Sequence, residues 1–375
     1  MLVGIEASRA NRLQKTGVEW YAYHLIQKMK TLPEAVLHAW LLYSNAPLAS
    51  GLEKGPSNWQ EVRLSWPPKF LWTQLRLSYE MWRHPSDVLF VPAHVLPRVI
   101  PKRSVVTVHD IGFHRLPALY KLEQRYYHEW STRDTVKRAS RILTVSEFSK
   151  QELMEVYGAR EEQVSVTPLG IDQERYKPMG KMQRDAILDR WQLPTPFVMF
   201  IGRLERKKNV LAIIQAFKRY KVEQGLGDPL HLVLVGQPGA GYEELERALT
   251  DTSIARFVHV VGYINEEEKL ALLSSAEALI HPSWYEGFGL TPLEAMACGT
   301  PVICSHAASL PEVVGLENAL WFDPADSEAL AQTIARLMND AELRLVLRER
   351  GLSWAKKYTW EATARQTLPL LTEWS

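Results

Sequence analysis

Short runs of aliphatic and β-branched residues alternate along most of the chain with stretches whose apolar positions recur at helical spacing. The runs at 2–7, 36–43, 88–91, 105–108 and 142–145 each predict a strand. Between the first two, Val18, Tyr21, Ala22, Leu25, Ile26 and Met29 share one face of a helix over 18–30, and a polar-faced stretch closes at 138–141 before the next strand. The alternation restarts with apolar runs at 197–201, 232–235, 258–261, 278–280, 302–304 and 320–322, again with helical patterns between them. Strand, helix, strand in this order builds parallel sheets with covering helices, so the chain predicts two α/β domains with Rossmann-like parallel sheets. The stretch 168–196, punctuated by Pro178, Gly180, Pro194 and Pro196, joins neither series. It places the linker near 178–182 and the domains at 1–178 and 179–355. Residues 356–375 form a last helix that packs back on the first domain.

The length of 375 residues agrees with two domains of ordinary size, and 46% hydrophobic residues supply their cores. No apolar run approaches the roughly 20 residues that span a bilayer, and Glu6 and Arg9 come too early for a signal-peptide core, which implies a cytoplasmic protein. Cys298 and Cys304 form no CxxC pair, so neither a disulfide framework nor a structural metal is expected. The net charge of +1 conceals an asymmetry: residues 1–150 carry 21 Lys and Arg against 12 Asp and Glu, while 151–375 carry 23 against 31. The basic half also holds Trp20, Trp40, Trp59, Trp66, Trp72, Trp82 and Trp130. Such a half suits an anionic substrate or an acidic lipid surface, or else is a solvated basic face over a tryptophan-containing core.

The densest chemistry lies between His281 and Pro301, where strand, glycine loop and helix follow one another. Gly287 and Gly289 allow close backbone approach or positive φ, Pro292 suits a first helical turn, and Gly299 ends the helix. The amides of Gly289, Leu290 and Thr291, with Phe288 beside them, then face a ligand above the sheet, and the helix dipole favours phosphate there. Glu286 and Glu294 flank the loop. Carboxylates beside a phosphate site fit an anion that carries sugar hydroxyls; separately, Glu294 also fits a glutamate that complements the helix dipole and Glu286 an exposed loop charge. Arg203 and Lys208 follow the first strand of the second series, where loops at the carboxyl ends of a doubly wound sheet converge, and they supply the cations a diphosphate leaving group requires.

Weaker signals lie in the first series. His109 stands at a strand end, Gly17 lies between a strand and a helix, and Ser146 is accounted for as a helix cap. The chain lacks a Walker A motif, a GxGxxG fingerprint and an Asp-x-Asp pair, which disfavours a nicotinamide enzyme and predicts metal-independent chemistry.

The run from Glu286 to Val302, EGFGLTPLEAMACGTPV, resembles the signature of the family 4 retaining glycosyltransferases. Gly202-Arg203-Leu204-Glu205 with Lys208-Asn209, Val108-His109-Asp110, residues 144–149 and residues 167–172 extend the similarity over most of the chain. The resemblance implies a GT-B fold, two Rossmann-like domains with a cleft between them, the second holding a sugar nucleotide and the first an acceptor. It implies that Arg203 and Lys208 bind the donor diphosphate, that Glu294 binds ribose hydroxyls and that Glu286 binds the transferred sugar with the backbone at 288–291. His109 would lie beside that sugar, and the base near Gly236, Tyr263 and Ile264. Retention is described for the family as front-face attack, with the donor phosphate taking the acceptor proton. Where the family often carries two glycines, this chain has Thr16-Gly17-Val18-Glu19, so Gly17 alone remains to approach the donor; Glu19 reads as a solvent-facing helix residue or a partner of the acceptor.

Residues 108–117 are similar to first-domain loops of bacterial O-antigen and exopolysaccharide mannosyltransferases, which makes GDP-mannose the expected donor, with UDP-glucose and UDP-galactose as alternatives. The expected acceptor is a glycan or lipid-linked glycan at the inner membrane face, with no cofactor and no nucleic-acid partner. The competing readings are a GT-B sugar-nucleotide epimerase or hydrolase and a non-catalytic GT-B binding subunit.

Overall fold

A computed structural model describes residues 1–68, 70–250 and 253–374. The chain divides into two compact units, one of Met1–Gly170 with Tyr358–Ser375 and the other of Ile171–Lys357. The division therefore falls at Gly170, ahead of the 178–182 stretch. The reason is local: the Tyr176 hydroxyl already donates to Glu266 at 2.9 Å, and the Met179 amide to Ser274 at 3.1 Å, both inside the second unit.

The first unit is built on a seven-stranded parallel sheet. Its strands are β1 (Leu2–Glu6), β2 (Ala39–Ser44), β3 (Trp59–Arg63), β4 (Val88–Val91), β5 (Arg103–Thr107), β6 (Arg141–Thr144) and β7 (Val164–Val166), in the order β3-β2-β1-β4-β5-β6-β7. The chain winds outward from β1 to β3 and then returns to place β4 on the other side of β1, which makes the β1/β4 boundary the point where the winding reverses. Helix Gly17–Met29 turns Tyr21, Ala22, Leu25, Ile26 and Met29 inward, the face its apolar spacing predicts. The last helix, Trp360–Thr372, packs against it, and the Trp360 ring stacks on His24 at 5.0 Å. Arg141 donates to the Leu370 carbonyl at 2.8 Å and Thr363 to that of Pro168 at 2.7 Å, tying the chain end to this unit.

The second unit repeats the plan with six parallel strands: β8 (Phe197–Ile201), β9 (His231–Val235), β10 (Val258–Val261), β11 (Ala278–His281), β12 (Val302–Ser305) and β13 (Leu320–Phe322). Their order, β10-β9-β8-β11-β12-β13, is doubly wound, with the reversal between β8 and β11. Val198, Phe200, Leu232, Leu234 and Ile280 pack with Phe217 and Ile213 of helix Val210–Gln224 into one core. Both faces of such strands are covered, which is why they read as unbroken apolar runs in the sequence. Cys298 and Cys304 are buried, free thiols. Among the described residues no helix is long and apolar enough to cross a membrane.

Candidate functional site

The loops after β8 and β11 leave the sheet on either side of the reversal in the second unit. After β8 the chain makes a tight detour: the Leu204 amide donates to the Gln237 carbonyl at 3.0 Å, and a Cβ on Gly236 would fall inside the van der Waals shell of the Gly202 carbonyl oxygen. Gly236 is therefore required by the packing of two loops, at φ +152°, whatever the loop binds. A single helical turn, Arg206–Lys208, follows. Asn209 adopts a left-handed conformation and donates to the Pro324 carbonyl at 2.8 Å before helix Val210–Gln224 begins.

This turn carries Lys208 to Glu286, where Nζ meets Oε1 at 2.6 Å. The same oxygen lies 3.2 Å from His281 Nε2 at the end of β11. Glu286 is thus no exposed loop charge: its side chain is 13% accessible. Burial would raise its carboxyl, but Lys208 above all, with His281 and Lys207, holds it well below the usual carboxylate range. The loop that carries it is pinned from behind by Ser309, whose hydroxyl donates to the carbonyls of Glu286 at 2.8 Å and Phe288 at 3.1 Å. Gly289 closes the loop at φ +102°, where a Cβ would lie 2.6 Å from Leu310 Cδ2. Helix Leu290–Ala297 starts there. Among the described residues the amides of Gly289, Leu290 and Thr291 have no acceptor, as at any helix start, and they continue the loop that carries Glu286.

One turn into that helix Glu294 meets Lys269 at 2.8 Å, and Lys269 also donates to the Tyr176 hydroxyl at 2.8 Å. Arg203 is exposed at the end of β8 and has no side-chain hydrogen bond or ion pair among the described residues. Tyr263 and Ile264 follow β10, the first exposed and the second buried; the Gly236 amide donates to the Val261 carbonyl at 3.0 Å, which holds the two loops along one edge of the sheet. His281, Ser309, Lys269 and Tyr176 were not among the residues expected to shape this site. The partners of Ser309, Lys269 and Tyr176 are distant in sequence, while His281 lies five residues from Glu286 and reads from the sequence only as the strand end before the loop.

His109 and Gly17 belong to the first unit. His109 follows β5 and is buried, with Nε2 3.1 Å from the Pro92 carbonyl and its ring edge-on to Tyr21 at 4.7 Å. A carbonyl can only accept, so Nε2 carries the proton and Nδ1 is left as an acceptor. Burial, reinforced by neighbouring His94, pushes its pKa down to about 3. Gly17 opens helix Gly17–Met29 with open space where a Cβ would stand, so packing within the unit does not demand a glycine. Glu19 is not solvent-facing: it closes a capping box on Thr16 and pairs with Arg12 at 2.9 Å, because a carboxylate at this helix start satisfies a backbone amide that would otherwise lack a partner. Ser146 caps helix Glu147–Tyr157 through the Ser149 amide at 3.1 Å.

The chain matches the family models "Glycosyltransferase Family 4" over residues 16–175 and "Glycosyl transferases group 1" over residues 185–354. It is 32% identical to O-antigen chain mannosyltransferase B of Escherichia coli over 278 residues, 74% of this chain and 72% of that protein. Serotype-specific mannosyltransferase WbdA of Escherichia coli is 28% identical over 277 residues, 71% of this chain but 33% of that longer protein, so the match spans a third of it. The fold is similar to that of sucrose-phosphate synthase from Thermosynechococcus elongatus, with a TM-score of 0.78 at 20% identity over 99% of this chain and 98% of that one. With two doubly wound units and these matches along both, the chain belongs to the family 4, group 1 glycosyltransferases and is a hexosyltransferase of GT-B fold.

Proposed function

We propose that the protein moves mannose from GDP-mannose, with retention of anomeric configuration and without a metal ion, to a glycan or lipid-linked glycan. The observation that carries the reading is the conjunction of an acceptor-free helix start at Gly289, Leu290 and Thr291 with the Lys208–Glu286 pair beside it. A diphosphate laid on those amides gains the helix dipole, Lys208 and the unpaired Arg203, and these offset the charge that develops on the leaving group. Glu286 retains Oε2 for hydroxyls of the transferred sugar while Oε1 is held by Lys208 and His281. Glu294 serves the ribose, and the neutral His109 offers Nδ1 to a sugar hydroxyl. The base lies against Gly236, Tyr263 and Ile264. Mannose is favoured because O-antigen chain mannosyltransferase B and WbdA, which match 74% and 71% of this chain, are mannosyltransferases by name. A peripheral position at the inner membrane face is supported by Tyr79 and Trp82, 52% and 67% exposed, on a segment that also carries Arg76 and Arg83.

The test is a thermal-shift screen against GDP, UDP, ADP and dTDP, each with EDTA or magnesium, because a ligand of the folded state raises the melting temperature. The expected result is a shift by GDP that EDTA does not reduce and that Glu294→Ala weakens. A UDP-selective shift would move the donor to glucose or galactose chemistry, a shift that needs magnesium would overturn metal independence, and no shift at all would leave a non-catalytic subunit.

A further inference from the structure

Glu294, the carboxylate assigned above to the ribose, stands at one end of a line of polar side chains that the donor site does not account for. Lys269, on helix Glu266–Ser275, meets its Oε2 at 2.8 Å. Lys269 also donates to the Tyr176 hydroxyl at 2.8 Å, and that hydroxyl donates to Glu266 Oε2 at 2.9 Å. Arg175 lies 3.7 Å from the same oxygen of Glu266. Cation, carboxylate, hydroxyl, cation and carboxylate alternate from Arg175 to Glu294, and three stretches far apart in sequence supply them.

Each contact between Glu266 and Glu294 has one possible sense. An ammonium only donates and a carboxylate only accepts, so the Tyr176 oxygen accepts from Lys269 and sends its own proton to Glu266. Burial, with Glu294 and Glu266 nearby, pushes the tyrosine pKa up, so the hydroxyl keeps that proton. Tyr176 is buried, and the side chains of Lys269 and Glu294 are only 16% and 13% accessible, so water competes weakly for these bonds. Glu294 Oε1 has no hydrogen bond among the described residues and is not one of the buried polar atoms left without a partner. One oxygen is fixed and the other is left open. An ion pair taken out of water adds little net stability over apolar residues of the same volume, so what this one adds is placement. Lys269 also neutralises Glu294, whose charge would otherwise repel a nucleotide phosphate bound nearby.

We infer that Lys269 and Tyr176 are positioning residues for the nucleotide ribose: they hold Glu294 by Oε2 so that Oε1 accepts from the ribose hydroxyls, and preference for those hydroxyls depends on them. The inference rests on the reading of Glu294 as a ribose ligand and adds the groups that aim it. Lys269 acts through Glu294, and Tyr176 acts through Lys269. The order of effects follows: loss of the ammonium frees the carboxylate, whereas loss of the hydroxyl only loosens the ammonium.

The experiment is titration calorimetry on the full chain with GDP and UDP, each beside its 2′,3′-dideoxy analogue. Wild type is expected to bind the hydroxyl-bearing form of its nucleotide about tenfold or more tighter, as a hydrogen bond to a charged group does. Lys269→Met is expected to bring that ratio to about threefold or less by weakening the ribonucleotide, with the dideoxy Kd unchanged within about twofold. Tyr176→Phe lowers the ratio by a smaller factor, and Lys269→Arg, which keeps the charge, restores most of it. Tyr176→Phe leaves its ring in place, so it carries the test if Lys269→Met does not fold. A ratio that survives in these variants, equal weakening of both nucleotide forms, or a wild type that binds nucleotide but ignores the hydroxyls would each overturn the positioning role and leave the glycosyltransferase reading standing. Absence of binding by any of these nucleotides would instead sink the donor assignment itself, and this inference with it.

Discussion

His109 shows how a single ring acquires its role from its surroundings. Its Nε2 is committed to the Pro92 carbonyl and its pKa lies near 3, so the native protein keeps it neutral where a free imidazole would gain a proton. The unfolded chain takes up that proton near the ordinary value of about 6.5. Between those two values the unfolded state binds more protons, so this group's linkage makes stability fall as pH drops from about 6.5 toward about 3. In NMR the ring nitrogens are expected to show no titration between roughly pH 8 and 5, and His109→Leu should flatten that part of the stability profile; a midpoint near 6.5 would contradict the burial. The residue was legible in the sequence as a strand-end histidine, but its protonation was not, because Pro92, His94 and Tyr21 come from other elements.

The loop between β11 and its helix was the most legible element, and for a physical reason: Gly287, Gly289 and Pro292 impose backbone conformations that neighbours in sequence can reveal. Its hidden support is Ser309. Ser309→Ala should remove the hydroxyl bonds to the carbonyls of Glu286 and Phe288, cost about 1 kcal/mol of stability and lower turnover more than that cost explains, because Glu286 loses its fixed height above the helix start. Thermal melts beside kcat and KM separate the two effects; a variant with normal kcat would show that the clamp is only structural. The edge strands of the first sheet were the least legible, whereas those of the second, 258–261 and 320–322, were read. The strand Trp59–Arg63 carries Gln60, Glu61 and Arg63, and Val164–Val166 spans three residues, so neither shows the unbroken apolar run that marks a strand covered on both faces. The run read as 36–43 begins later, at Ala39, because Pro33 starts a helical turn that reaches Leu37.

At the scale of the molecule, periodicity gave both sheets and the restart between them, while the compact units divide at Gly170, ahead of Pro178 and Gly180. The returning helix Trp360–Thr372 buries Trp360, Ala364, Leu368 and Leu371 in the first unit. Ending the chain at Lys357 removes that cover. Hydrogen exchange is expected to lose amide protection throughout 1–170 and to keep it in 171–357; equal loss in both would mean that the units do not fold as separate cores.

The first unit is thus closed by residues made after the whole of the second. Its sheet is encoded before Gly170, but Trp360, whose backbone occupies the space a Cβ on Gly170 would need, lies beyond the whole second unit. On the ribosome those intervening residues take roughly 10–40 s to synthesise at about 5–20 residues per second. Throughout that interval the nascent first unit stands without its closing helix, and the face of Gly17–Met29 that this helix covers stays open. The order of completion is the reverse of the order of synthesis: residues 171–357 can close before the helix that covers residues 1–170 has been made.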